Sequence, residues 1–107
     1  MKTLFKILII NLVLSISAYG QFNFEKHQLD LEGERISGLH YADFDNDGDN
    51  DIIACYKQKN KIVIWINNGN LNQSFTKIVV DSNFIAPLYV YAKDINNDNL
   101  PDFAVSS

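Results

Sequence analysis

Two kinds of hydrophobic pattern divide the chain. Residues 1–20 open on Lys2 and Lys6, run through a mostly apolar stretch from Ile7 to Ile16 broken by Asn11 and Ser15, and end in Ser17, Ala18 and Gly20. A basic start, a short apolar middle and a small-x-small end predict a secretory signal peptide cut before Gln21. The apolar run is about half the ~20 residues that a membrane-spanning helix needs, so no transmembrane anchor is expected in the mature chain. From residue 21 onward the apolar positions fall into short runs of β type, and none has helical periodicity. Strands are predicted over Ser37–Ala42, Asp51–Tyr56, Lys61–Asn67 and Phe75–Val80. The run Lys61-Ile-Val-Ile-Trp-Ile-Asn67 is rich in β-branched residues and apolar on both faces, as suits a strand covered on both sides. Asn67-Asn68-Gly69-Asn70 supplies residues that tolerate positive φ for the reversal that follows.

The pattern repeats. A shift of 51 residues lays Asp43-Phe-Asp45-Asn-Asp47-Gly-Asp49-Asn-Asp51 over Asp94-Ile-Asn96-Asn-Asp98-Asn-Leu100-Pro-Asp102, and the register also holds at Phe24/Phe75, Lys26/Lys77 and Asp30/Asp81. A period of this size marks stacked supersecondary units, none of which buries its apolar surface alone. Four short antiparallel strands per ~50 residues are the content of a β-propeller blade. The expected fold is therefore all-β. One blade spans about residues 37–80, the outer strand of a preceding blade lies at 22–29, and a further blade opens at 88–107. Rings of this kind close with about four to eight blades, so the chain is expected to be an incomplete ring, a fragment of one and a half to two repeats.

The segments between the first and second strands of each unit carry the chemistry. Asp43, Asp45, Asp47, Asp49 and Asp51 place five carboxylates within nine residues. Two like charges ~4 Å apart repel by about 4 kcal/mol at the effective dielectric of a protein surface, so such a loop calls for a cation. A hard ion taking six to eight oxygens fits this spacing, with side chains at loop positions 1, 3 and 5, the bend at Gly48, the Asp49 carbonyl at position 7 and Asp51 closing at position 9. An EF-hand is excluded, because it requires a glutamate at position 12 and flanking helices, whereas position 12 is Ala54 within a strand pattern. Calcium is preferred over magnesium, which demands a rigid octahedron and keeps more of its water. The second loop offers Asp94, Asn96, Asp98, the Leu100 carbonyl and Asp102, with Asn99 in place of the glycine, and weaker binding is expected there.

Composition changes the picture at three points. The 107 residues carry nine Lys and Arg against thirteen Asp and Glu. Eight of those acids lie in the two loops, so the acidity belongs to the proposed ion sites and not to the surface at large. The acidic balance argues against a nucleic-acid partner, which would need a basic face to neutralise phosphates. One cysteine, Cys55, excludes an internal disulfide framework, and its place in Ile52-Ile-Ala-Cys-Tyr56 predicts a buried, inert thiol. His40 and His27 align in the repeat with Tyr91 and Ile78, which makes them strand residues before ligands or bases. Trp65, Tyr89 and Tyr91 read first as packing, with contact to a sugar ring as the other use of such side chains.

The segment Asp43-x-Asp45-x-Asp47-Gly48-x-x-Asp51 followed by Ile-Ile-Ala resembles the FG-GAP/VCBS repeat, which is found in secreted bacterial propellers and in the head of integrin α-chains. Phe75-Thr-Lys-Ile-Val-Val-Asp81 and Tyr91-Ala-Lys-Asp94 resemble its strand and loop entry. Asn99 in place of glycine departs from that pattern. The resemblance implies calcium loops that stiffen the blades, and ligand contacts made by other surfaces. It implies a secreted or cell-surface structural and adhesive scaffold, whose ligand would be an extracellular glycan or protein. No nucleophile elbow, phosphate-cradling loop or acid–base pair points to catalysis. The alternative is the N-terminal part of a secreted enzyme, such as a polysaccharide-degrading protein, with its catalytic residues outside this chain.

Overall fold

The alternating strands pair with their sequence neighbours. The computed structural model describes residues 35–69 and 74–107, together with residues 20, 24 and 26–29; the segment expected to be a signal peptide lies, apart from Gly20, outside the described residues. Strands β1 (Gly38–Ala42), β2 (Asp51–Tyr56), β3 (Lys61–Asn67) and β4 (Phe75–Asp81) form one antiparallel sheet in the order β1-β2-β3-β4. Strands β5 (Tyr89–Lys93) and β6 (Asp102–Ser106) form a second antiparallel pair. The two acidic segments connect β1 to β2 and β5 to β6. The described residues are thus all-β, in antiparallel sheets that do not close into a barrel.

The four strands read from the sequence appear within a residue of their expected bounds. One expectation fails. Of the outer strand expected at 22–29, the described residues 24 and 26–29 are not in a strand. A strand needs a neighbour for its N–H and C=O groups, whereas Leu29 packs against the face of the four-stranded sheet.

Register decides which residues meet. Cross-strand partners share a face, so β2 sends Ile53 and Cys55 to one side and Ala54 and Tyr56 to the other. On the first side Ile53, Cys55 and Ile62 pack with Val90 and Ala92 of β5, flanked by Phe44, Phe84 and Phe103. On the second side Ala54, Tyr56, Val63 and Trp65 form a separate cluster with Ile52, Phe75 and Leu29. The strand predicted to be covered on both sides, β3, contributes to both clusters.

The β5–β6 pair is seated on the sheet by close backbone approach. A Cβ at Gly38 would stand 2.6 Å from the Leu88 carbonyl oxygen and 2.9 Å from Tyr89 Cα, so only glycine lets β5 lie this near β1. Beside it the Ser37 hydroxyl lies 2.7 Å from the Pro87 carbonyl oxygen and 3.0 Å from that of Cys55, and accepts the Lys57 N–H at 3.1 Å. Asn60, left-handed at φ 51°, turns the chain between β2 and β3 and accepts the Ala86 N–H through Oδ1 at 2.9 Å. These contacts fix the two acidic loops relative to one frame.

Candidate metal centre

The first loop is built by its own aspartates. Asp43 accepts the Asp47 N–H through Oδ1 at 3.1 Å and the Gly48 N–H through Oδ2 at 2.9 Å. Asp47 Oδ1 accepts the Asp49 N–H at 2.9 Å, the local side-chain-to-backbone bond that aspartate forms readily in turns. Asn46 and Gly48 take the left-handed conformation, at φ 59° and 94°. Asn46 tolerates that region because its short polar side chain does, and Gly48 because it has no Cβ.

Asp51 closes the loop from within the sheet. It is the one charged residue fully buried among the described residues. Its Oδ2 accepts the Phe44 N–H at 2.7 Å and its Oδ1 accepts the Asn67 N–H at 2.8 Å. A buried carboxylate is tolerated only with such partners. One side chain thereby ties the start of the loop to the end of β3.

These constraints bring three acids together. Oxygen atoms of Asp43, Asp45 and Asp51 all lie within 4.8 Å of one another. The side chains of Asp47 and Asp49 fall outside that group: Asp47 caps the Asp49 N–H, and Asp49 Oδ2 lies 2.5 Å from where a Cβ on Gly69 would stand. The Asp45 carboxyl is raised above its ordinary value, first by loss of surrounding water within the loop, then by the charges of Asp47 and Asp51. Asp43 and Asp51 are already held by backbone N–H groups, so Asp45 bears the unfavourable part of the cluster.

The second loop repeats four backbone bonds of the first, while the bond from Asn67 to the closing aspartate has no counterpart there among the described residues. Asp94 accepts the N–H groups of Asp98 and Asn99 at 3.2 and 2.9 Å, Asp98 Oδ1 accepts that of Leu100 at 2.9 Å, and Asp102 Oδ2 accepts that of Ile95 at 2.9 Å. Asn97 and Asn99 are left-handed at φ 63° and 68°, where the first loop has Asn46 and Gly48. The loops differ at position 3. Asn96 turns toward Asp98, accepting its N–H at 3.0 Å and donating from Nδ2 to its carboxylate at 3.1 Å. Leu100, half exposed at the rim, brings no charge.

The remaining candidates sort by burial. Cys55 is fully buried, and burial raises its thiol pKa, so it has neither the access nor the thiolate of a reactive cysteine. His40 lies in β1, its ring 4.7 Å from that of Tyr91, and its Nδ1 accepts the Ala92 N–H at 3.3 Å. Trp65 is buried, as a packing residue should be, under the Lys77 ammonium. Tyr89 and Tyr91 depart from that reading and stand exposed, because the opposite face of the β5–β6 pair takes the contact with the sheet. The Asn67 N–H bond to Asp51 has no local signal in the sequence: Asn67 reads as the end of a strand and the start of a turn, and nothing there marks a bond across 16 residues.

Two carboxylates that already accept backbone N–H groups retain free lone pairs, since each oxygen has two. With Asp45 between them, the cluster can take a cation through oxygen alone. A family model described as FG-GAP-like repeat matches residues 43–105, more than half of the chain, beginning at the first aspartate of the first loop. No curated protein and no solved structure matches it.

Proposed function

The chain belongs to the FG-GAP-like repeat family, and from that premise we propose that it is an exported scaffold of β-propeller type whose acidic loops hold calcium. Repeats of this family are typically binding modules without catalytic residues, and the role proposed here is structural and adhesive. The observation that carries the metal reading is the convergence of Asp43, Asp45 and Asp51 on one point. Calcium–oxygen bonds of about 2.3–2.6 Å put ligands on opposite sides of one ion roughly 5 Å apart, so oxygens within 4.8 Å of one another suit that ion. After the left-handed bend at Gly48, the Asp49 carbonyl would be the next oxygen offered to the ion. Calcium would supply positive charge to a cluster in which Asp45 is disfavoured, joining the loop to the buried end of β2. In the second loop Asp94, Asn96, Asp98, Asp102 and the Leu100 carbonyl offer the corresponding positions with less charge, and hold an ion more weakly. Export through residues 1–20 would deliver the chain to a calcium-rich exterior.

Calorimetric titration of the exported chain with calcium tests this, together with thermal melting in calcium and in chelator. Two binding events of unequal affinity are expected. At 100 times the dissociation constant a bound ion adds about 2.7 kcal/mol, a readily measured rise in melting temperature. No heat on titration and identical melting in chelator would sink the calcium reading.

A further inference from the structure

The sequence holds one Asn-Gly step, Asn68-Gly69, directly after β3. Such a step is chemically labile. The glycine nitrogen can attack the carbonyl carbon of the preceding side-chain amide, because no Cβ hinders the approach, and a succinimide ring closes. The bond from that carbon to the side-chain nitrogen breaks, and ammonia leaves with the proton that the backbone nitrogen gave up. Water then opens the ring at either carbonyl, which yields aspartate or isoaspartate. One amide and one water become one carboxylic acid and one ammonia, with no change of oxidation state.

The fold requires glycine at this place. Gly69 is left-handed at φ 59°, and a Cβ there would stand 2.5 Å from Asp49 Oδ2. Both the turn and the neighbouring acidic loop therefore exclude a side chain.

The reactive groups are held by their surroundings. The Asn68 side-chain amide is turned toward β4, where its Nδ2 donates to Ser74 Oγ at 3.1 Å and its Oδ1 accepts from the Thr76 hydroxyl at 3.1 Å. The attacking group is engaged as well, since the Gly69 N–H donates to Asn67 Oδ1 at 3.1 Å. The Asn68 N–H donates to the Ser74 carbonyl at 3.0 Å and fixes the backbone between them. Ring closure needs Asn68 Cγ to swing onto the Gly69 nitrogen and that nitrogen to lose its proton. All three side-chain bonds oppose it.

We propose that Asn68 is a deamidation site whose rate is set by the opening of this network, with Ser74, Thr76 and Asn67 as the groups that hold the reaction back. Attack proceeds from the locally opened state. The two products then differ. Aspartate at position 68 keeps the backbone, and its carboxylate can accept from both hydroxyls. Isoaspartate puts an extra carbon into the main chain and shifts Gly69 away from Asn67. The Asn67 N–H ends on buried Asp51 at 2.8 Å, and its Nδ2 donates to the Asn50 carbonyl at 3.5 Å. The isoaspartyl form therefore loosens the wall of the first acidic loop, whether or not an ion is bound there.

Incubation at mildly alkaline pH, in buffer and in guanidinium chloride, followed by peptide mass spectrometry, measures conversion at residue 68. The unfolded chain is expected to convert at the rate of a free Asn-Gly peptide, and the folded chain roughly tenfold more slowly or beyond. Ser74→Ala and Thr76→Val each remove one bond at an exposed position, so circular dichroism and melting should match the parent. Each is expected to speed conversion of the folded chain on the order of fivefold and to leave the unfolded rate unchanged. The isoaspartyl form, separated by chromatography, should melt below the parent, whereas Asn68→Asp should melt close to it. A folded chain that converts as fast as the unfolded one would overturn the proposal. So would variants, folded as the parent, whose rates do not rise, an unfolded chain in which Asn68 stays intact, or an isoaspartyl form that melts with the parent.

Discussion

The loops 43–51 and 94–102 share a backbone and differ in charge. Both are wound by the aspartates at positions 1 and 5, pass through left-handed residues at positions 4 and 6, and are closed by the aspartate at position 9. Seven identities in 33 aligned pairs suffice for this, because four of them, Asp43/Asp94, Asn46/Asn97, Asp47/Asp98 and Asp51/Asp102, include the residues that bond the backbone. Asp45 and Asp49 contribute little to the winding, and these are the acids that the second loop replaces by Asn96 and Leu100. The same motif thus writes two instructions, one for the shape of the loop and one for its affinity for a cation.

The widest gap between the loops should appear on removing the closing aspartate. Asp51 is fully buried and holds N–H groups from two elements, whereas Asp102 is half-buried and holds those of Ile95 and Asn96 in its own loop. Asp51→Ala is expected to cost about 2–5 kcal/mol and Asp102→Ala about 1–2 kcal/mol, read from urea unfolding in chelator. Equal losses would show that burial of Asp51 adds nothing to its role.

An exchange at position 3 is the sharper test. Asp45→Asn should lower the calcium affinity of the first loop on the order of tenfold, and Asn96→Asp should raise that of the second by a similar factor, since affinity follows the count of charged ligands. Without calcium the sign reverses. The Asp45 carboxyl is raised above 3.8, so the folded chain holds this proton more tightly than the unfolded one. The associated stability is complete below pH 3.8 and is lost as pH rises through the elevated value. Melting in chelator should therefore show a component that declines over this window, absent in Asp45→Asn, which should melt higher than the parent at neutral pH. A parent and variant with superimposed pH profiles would remove the electrostatic account.

The smallest effect concerns position 6. Gly48→Ala puts a side chain at φ 94° with nothing within 4 Å of the new Cβ, so the expected cost of about 1 kcal/mol is conformational alone. Asn99→Gly at φ 68° should change stability by a few tenths of a kcal/mol, because asparagine already suits that region. A larger loss for Asn99→Gly would point to a contact of its side chain.

Much of this was legible in the sequence because it is local. Short apolar runs rich in β-branched residues placed β2 and β3 to the residue, and aspartate spacing located both loops. Position 12 excluded the helical alternative, since Ala54 is buried in a strand. What escaped depends on contacts between distant segments. Five aspartates look alike in a string, yet Asp51 is buried by the sheet while Asp45, six residues earlier, is exposed. Tyr89 and Val90 are equally apolar to a pattern, and only the seating of β5 on β1 decides which faces inward. Residues 26–29 align in the repeat with the strand residues 77–80, but whether they pair depends on a neighbour, which the repeat register does not supply.

The double grip of Asp51 has a consequence in time as well as in structure. The N–H groups of Phe44 and Asn67 end on the same carboxylate, so neither can open to solvent without disturbing the other's acceptor. The mouth of the loop and the last residue of the third strand therefore breathe together, and hydrogen exchange at the Asn67 amide is a clock for events at the acidic cluster.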